Sequence, residues 1–157
     1  STPTSITMGL TTAQRAAIQN NWATVNANMQ EFGDALFMRY LLANPGDIQF
    51  FPKFASAGVG AQLRSNEAFQ EQTLTVFQFL GQIVAKLNDL DAAGKMLQER
   101  VHSHKPRGIT MAQFERLLDL LPRFLQENAG ANGPCADAWR VAIANLMPYM
   151  RDQFAKC

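Results

Sequence analysis

Apolar residues recur at steps of three and four along most of this chain, and this helical spacing restricts its fold more than any other feature. In the first such segment Ile18, Trp22 and Val25 fall on one face, after a Thr11–Gln14 pair with the spacing of a capping box. No stretch sustains the strict alternation of apolar and polar residues that is typical of a half-buried strand. We therefore expect an all-α fold.

Turn-forming residues divide the helical pattern into six or so segments. Asn44 and Pro45 end the second segment, because proline disfavours helical backbone in the residue before it. A Thr110–Gln113 pair repeats the capping-box spacing. After the first helix we predict helices over about Met29–Leu42, Ala61–Leu87, Asp91–His104 and Thr110–Asn128, and a last helix that begins after Pro134.

Length and composition predict one globular domain. The 157 residues are 47% hydrophobic, which is enough to bury a core without a disulfide or a metal. The net charge of +1 provides no field for nucleic acid or anionic lipid, so we expect neither partner. No apolar run approaches the ~18 residues of a membrane span. We expect a flexible N-terminal extension over residues 1–9, without a signal peptide, and a single domain over residues 10–157.

The two cysteines flank the predicted last helix, and we expect no bond between them. Cys135 and Cys157 would lie ~30 Å apart at the ends of that helix, whereas a disulfide requires Cα atoms within ~7 Å. Free thiols suit a reducing compartment, although in a secreted protein such cysteines could pair between chains. The cysteines therefore leave the compartment open.

The two histidines of the chain, His102 and His104, are the candidate metal ligands. Two residues apart on a helix is a rotation of ~200°, so they face opposite ways. The apolar positions Leu97 and Val101 place His104 towards the interior and His102 towards solvent. A neutral imidazole in that position either bonds a backbone carbonyl or binds a metal that is already held by something else.

One histidine ligand beside an apolar pocket favours a metal carried in an organic macrocycle. No second histidine or carboxylate shares the face of His104 at one-turn spacing, whereas zinc sites usually require several protein ligands. On the long predicted helix, Gln72 falls in an apolar row between Phe69 and Val76. A buried amide costs free energy unless it is bonded, so Gln72 either bonds a backbone group or faces a small ligand on the metal.

Several further landmarks occur in order between about Leu10 and Phe154. They are Trp22, Asn44-Pro45 followed by Phe51 and Phe54, the segment His104-Lys105-Pro106-Arg107-Gly108-Ile109, and Ala138-Trp139. Their order resembles that of a globin, and in particular that of midge-larva (insect) haemoglobins and some bivalve globins. The resemblance implies a globin fold of six to eight helices packed around haem b (iron protoporphyrin IX).

Carried over to this sequence, the resemblance implies that His104 is the proximal iron ligand. Gln72 takes the distal position, where most relatives have histidine. Arg100 departs from the pattern, because relatives have an apolar residue one turn before the proximal histidine; it either reaches a haem propionate or reflects a slight rotation of the helix. The other implied haem contacts are Phe37 and Val76 on the distal side, Phe51 and Phe54 at the corner, Lys53 and Arg107 near the propionates, Ser103 beside the imidazole, and Ile109 and Phe114 on the proximal face.

These residues predict reversible oxygen binding for transport or storage, with CO and NO as further ligands. The amide N–H of Gln72 can donate to a polar ligand, but it cannot relay a proton as an acid–base catalyst. The alternative is a haem enzyme, such as a nitric oxide dioxygenase or a peroxidase, with an external electron source. The resemblance implies an extracellular protein of the haemolymph, with a cytoplasmic one as the alternative, and either a monomer or a homodimer.

Residues that fit no site are expected to be structural. Arg116, Arg123 and Arg140 are predicted on a solvated surface, and Phe77 and Phe79 in the core or in an interface.

Overall fold

Six α-helices make up most of the computed structural model, which describes residues 9–104 and 108–156, with the backbone alone at His104. No strand occurs within those ranges, so the all-α prediction is confirmed. None of the described helices combines the length and the apolarity needed to cross a membrane. The helices are α1 (Thr12–Asn26), α2 (Met29–Ala43), α3 (Glu67–Ala85), α4 (Leu90–His104), α5 (Met111–Asn128) and α6 (Gly133–Lys156); three short 3₁₀ helices, Pro45–Phe50, Ala55–Ala57 and Ala61–Ser65, connect α2 to α3.

Side-chain caps fix the starts of two helices, as the sequence predicts. At α1 the Thr11 hydroxyl accepts a hydrogen bond from the Gln14 amide at 3.0 Å, and the Gln14 side chain accepts one from the Thr11 amide at 2.9 Å. At α5 the Gln113 side chain accepts a hydrogen bond from the backbone amide of Thr110 at 2.7 Å. These bonds satisfy backbone donors that have no partner inside the helix, which is why both helices begin where they do.

The prediction of one long helix over Ala61–Leu87 is wrong at its start. The chain forms a 3₁₀ helix, Ala61–Ser65, and α3 begins only at Glu67. Asn66 separates the two: its backbone is extended (φ −86°, ψ 121°) and its side chain accepts a hydrogen bond from the Phe69 amide at 3.1 Å. Asparagine is a preferred N-cap because its side chain makes this bond. The start of α3 could therefore have been predicted from Asn66.

Trp22 joins α1, α3 and α6 at the centre of the main core. Its ring centroid lies 5.6 Å from that of Phe77 and 5.8 Å from that of Trp139. The Trp139 indole N–H donates to the Asn21 side-chain oxygen at 3.0 Å, and the Asn21 amide donates to the Ala129 carbonyl at 2.9 Å. The Trp139 indole N–H and the Asn21 side chain are therefore paired inside this core.

Two predictions about the ends of the chain fall on residues outside the described ranges. Residues 1–8 of the expected N-terminal extension are among them. So is Cys157, and the absence of a disulfide between the two cysteines stays a prediction. Cys135 is a free, buried thiol, and burial raises its pKa.

Candidate functional site

A cavity of about 690 Å³ lies between α3 on one side and α4 and α5 on the other. The connection from α2 to α3 borders it, and Met150 of α6 lines it as well. Cofactor sites in proteins are clefts of ~300–1,000 Å³ with mostly apolar walls and a few polar groups. The cavity has the size of such a site.

Aromatic rings form the part of the cavity nearest to the α2–α3 connection. The rings of Phe51 and Phe54 are stacked, with centroids 5.3 Å apart and an interplanar angle of 11°. Phe37 of α2 meets Phe51 edge-on at 6.1 Å, and Phe54 meets Phe69 of α3 edge-on at 5.5 Å. Phe37 and Phe54 are each 2% exposed, whereas Phe51 is half-buried and lines the cavity. Stacked and edge-to-face rings are favourable arrangements, so this surface is fixed by its own packing.

A buried carboxylate anchors the same connection. Asp47, in the 3₁₀ helix Pro45–Phe50, accepts a hydrogen bond from the Tyr40 hydroxyl at 2.5 Å. Arg116 of α5 donates to both oxygens of Asp47, at 2.9 and 3.1 Å. Burial, with the hydrogen bond to Asp47 as the second cause, raises the pKa of Tyr40 far above its ordinary value. Arg116 is exposed, as the sequence predicts, and it also pairs with a buried acid, which the sequence analysis did not predict.

On α3, Gln72 and Val76 are half-buried and line the cavity. The residue next to Gln72, Thr73, is fully buried on the other side of the helix. Its hydroxyl donates to the Asp34 carboxylate at 2.5 Å, and the Gln30 amide donates to the same oxygen at 2.8 Å. These bonds to α2 fix the rotation of α3 about its axis, so that Gln72 and Val76 face the cavity.

The α4 side of the cavity is more polar. The guanidinium of Arg100 lies 4.1 Å from the ring centroid of Phe79 on α3, within the range of a cation–π contact. The Ser103 hydroxyl donates to the Arg100 carbonyl at 2.9 Å. His102 is exposed, as the sequence predicts, and α4 ends at His104. The side chain of His104 lies outside the described residues.

Every candidate site residue whose side chain the structure describes lines this one cavity. Arg107, like the side chain of His104, falls outside the described residues. Phe79 packs against the core, as predicted, and it also lines the cavity, which the sequence analysis did not predict. It lies three residues after Val76, itself four after Gln72, and that spacing could have identified it. The predicted residues brought together here are Phe37, Phe51, Lys53, Phe54, Gln72, Val76, Arg100, Ser103, Ile109 and Phe114.

Comparison with known proteins identifies the family. Residues 34–150 match the globin family model. Two globins of the midge Chironomus thummi thummi, CTT-IX and CTT-VI, are 31% and 27% identical to this chain; each alignment covers 85% of the chain, and 81% and 82% of the respective relative. Hemoglobin-2 of Phacoides pectinatus is 24% identical over 91% of this chain and 94% of its own. The chain belongs to the globin family.

Solved structures agree on the fold. A double mutant of myoglobin from Aplysia limacina superposes with a TM-score of 0.81 at 23% identity, over 92% of this chain and 98% of its own. A hexacoordinated haem protein from an anhydrobiotic tardigrade superposes with a TM-score of 0.84 at 23% identity, over 99% of both chains. At these identities the likeness establishes the globin fold alone.

Globins are haem proteins, so the family implies haem as the cofactor, and the residues present fit it. A macrocycle with an apolar body and two carboxylates requires a flat apolar slot that opens next to a cation. The stacked Phe51 and Phe54 and the half-buried Val76 provide the apolar surface, and the exposed Lys53 provides a cation on the lining. Among the described residues Lys53 has no ion-pair partner, which leaves its ammonium group available to a propionate.

Proposed function

We propose that this globin binds oxygen reversibly, with His104 as the proximal ligand of the haem iron and Gln72 as a hydrogen-bond donor on the distal side. Haem supplies a ferrous iron that binds diatomic gases. One observation carries the proposal: the side-chain amide of Gln72, half-buried in the cavity wall, has no hydrogen-bond partner among the described residues. The alternative that this amide bonds a backbone group is therefore disfavoured.

The register of α4 supports His104 as the ligand. Leu97 and Val101 are buried on the inner face of α4, 8% and 0% exposed. His104 follows three residues after Val101 and seven after Leu97, which is the spacing of that inner face. His102 is two residues earlier and exposed, so it is the poorer candidate.

An amide N–H beside the ligand position should raise the affinity for a ligand that accepts its hydrogen bond. A hydrogen bond contributes ~1 kcal/mol net, and ~1.5–3 kcal/mol when the acceptor is charged. At ~1.4 kcal/mol for each factor of ten, this is about five- to hundredfold in affinity for a ligand that accumulates negative charge. A less polar ligand such as CO gains less. The specific expectation is that Gln72 favours oxygen over CO.

The same residues favour a carrier over an enzyme. An amide has no proton to give or take in the physiological range, so Gln72 can donate a hydrogen bond but cannot act as an acid–base catalyst. Phe37, 2% exposed, fills the space behind Phe51 with an apolar ring and limits the access of water. Nitric oxide dioxygenase or peroxidase activity would be the outcome that opposes this proposal.

The experiment compares oxygen dissociation from the wild type and from Gln72→Leu. We expect the dissociation rate to rise about five- to hundredfold, with a smaller change for CO. Gln78→Leu is the matched control, because Gln78 is exposed on the same helix and should leave both rates unchanged. An oxygen rate in Gln72→Leu equal to that of the wild type would contradict the role of Gln72. Sustained peroxide turnover by the wild type, with an external electron donor, would favour the enzyme instead.

We further propose that residues 10–157 act as one globin domain and that the protein works outside the cell, in haemolymph. The support for this location is the similarity of the chain to the Chironomus globins; a cytoplasmic protein is the alternative. Sedimentation of the haem-loaded protein distinguishes a monomer from a homodimer. Separation of haemolymph from cells, followed by immunodetection, tests the location.

A further inference from the structure

We propose that Tyr40, Asp47 and Arg116 form a clamp that sets how long the protein retains haem. The geometry points to this role because the clamp fastens the corner, defined here as residues 45–54, against α2 and α5. Phe51 and Phe54, the predicted haem contacts, lie at the end of that corner. The inference rests on the proposed haem site and names the residues that position it.

The clamp joins three elements that are far apart in the sequence. Arg116 and Asp47 are 69 positions apart, yet the guanidinium reaches both carboxylate oxygens, at 2.9 and 3.1 Å. The Tyr40 hydroxyl completes the set at 2.5 Å from Asp47. Asp47 is 8% exposed and Tyr40 is 2% exposed, while the Arg116 side chain is 42% exposed. A buried carboxylate is thus held by one neutral donor and one cation.

Consecutive backbone hydrogen bonds connect Asp47 to the aromatic residues. The Asp47 amide donates to the Asn44 carbonyl at 3.0 Å. The Phe51 amide donates to the Ile48 carbonyl at 3.0 Å, and the Phe54 amide donates to the Phe51 carbonyl at 3.1 Å. The turns Asn44–Asp47, Ile48–Phe51 and Phe51–Phe54 follow one another directly along the chain. A displacement of Asp47 is therefore expected to displace Phe51.

A second route runs through the side chains. The Tyr40 ring meets the Phe37 ring edge-on at 6.1 Å, and Phe37 meets Phe51 edge-on at the same distance. Tyr40 therefore contacts the aromatic surface with its ring and holds Asp47 with its hydroxyl. Both routes end at Phe51, which is why the clamp is expected to act on haem retention.

Loss of one partner should loosen the corner locally. A buried carboxylate that loses its cation is left uncompensated, and the cheapest response is exposure to water. The first part of the corner, Pro45–Phe50, is a 3₁₀ helix, whose hydrogen bonds have poorer geometry than those of an α-helix, so the corner can open without the unfolding of α2 or α5. Haem loses its contacts with Phe51 and Phe54 in the opened state.

The chain offers a matched control for this effect. Arg39 and Glu127 form an ion pair at 2.7 Å that also joins α2 to α5, and it includes no corner residue. Both side chains are substantially exposed, 38% and 46%. Glu127→Gln removes this pair and leaves the corner intact.

The test measures haem loss from the ferric protein into an excess of an apo-globin acceptor. We expect Arg116→Met and Asp47→Asn to lose haem about tenfold faster than the wild type, equivalent to ~1.4 kcal/mol. Tyr40→Phe, which removes one oxygen, should lose haem about two- to fivefold faster. Arg116→Lys keeps a cation within reach and should restore most of the retention. Glu127→Gln should differ from the wild type by less than about twofold, since exposed ion pairs contribute little.

Amide hydrogen exchange on the same haem-loaded variants separates a local from a general effect. Faster exchange at Phe51 and Phe54 in Asp47→Asn and Arg116→Met, with no change in Glu127→Gln, is the expected result. Wild-type haem loss in Asp47→Asn and Tyr40→Phe would overturn the inference, and so would equal acceleration in Glu127→Gln. Failure of the wild type to bind haem would instead contradict the proposed function, so the two failures are distinguishable.

Discussion

Two sides of the cavity are held in place by different means. At the corner, residues 45–54, the rings of Phe37, Phe51 and Phe54 pack against one another, and a buried ion pair fastens the backbone. On the α4 side the lining includes Arg100 and Ser103, and the described ring contact is a cation over Phe79. The position of the corner is set by contacts that its own side chains make, whereas the position of α4 is set by its packing against neighbouring helices.

Part of the attachment of α4 is made to one tyrosine of α6, Tyr149. A Cβ added at Gly94 would lie 2.4 Å from ring carbons of Tyr149, so α4 and the ring are in direct contact there. The Gln98 amide donates to the Tyr149 carbonyl at 3.2 Å, and the Tyr149 hydroxyl donates to Asp91 at 3.2 Å. The corner should therefore be most sensitive to the loss of a ring or of a charge partner, and α4 to an added methyl group.

The largest effect is expected when the aromatic packing of the corner is removed. Phe54→Ala deletes a ring that is 2% exposed and touches both Phe51 and Phe69. The free energy of unfolding should fall by ~3–5 kcal/mol, measured by urea denaturation of the haem-loaded protein. Phe50→Ala, at a half-buried ring of the same corner, should cost clearly less. Equal losses from the two variants would show that the corner is not held by its interlocked rings.

A smaller effect is expected from an added methyl group on α4. Gly94→Ala places its Cβ against the Tyr149 ring and should lower the free energy of unfolding by ~1–3 kcal/mol, despite the higher helix propensity of alanine. Gly46→Ala is the control at the corner, where nothing lies within 4 Å of the added Cβ. Denaturant unfolding of both variants measures the contrast. A neutral Gly94→Ala variant would remove the distinction between the two sides of the cavity.

Local chemistry made much of this fold predictable from the sequence. The pairs Thr11–Gln14 and Thr110–Gln113 fix helix starts within four residues, and the steps from Gln72 to Val76 identify one wall of the cavity. Interactions between distant positions were not predictable in this way. The pairing of Arg116 with Asp47 could not be predicted because the two residues are 69 positions apart. The residues next to Gly94 in the sequence likewise give no indication that it contacts Tyr149.

The smallest effect is expected at alkaline pH and concerns the corner. The folded chain keeps the Tyr40 proton above pH 10.0, the ordinary pKa of tyrosine, whereas the unfolded chain releases it. Stability should therefore fall as the pH rises past this value, by ~1.4 kcal/mol from pH 9 to pH 11, and Tyr40→Phe should lack this part of the fall. The pKa of Tyr149 is also raised, by burial and by its hydrogen bond to Asp91, so Tyr149→Phe should remove its own share of the fall and keep the share that belongs to Tyr40. Identical pH profiles of the wild type and Tyr40→Phe would contradict the burial of this hydroxyl.

The axial bond between His104 and iron is the claim on which the site depends, and absorption spectroscopy tests it most directly. The wild type should take up one haem for each chain and give a deoxy spectrum typical of a single imidazole ligand, which converts reversibly on exposure to oxygen. His104→Gly should lose that deoxy spectrum and the reversible conversion, and added free imidazole should restore the deoxy spectrum. Unaltered spectra and unaltered oxygen uptake in His104→Gly would show that another group holds the iron.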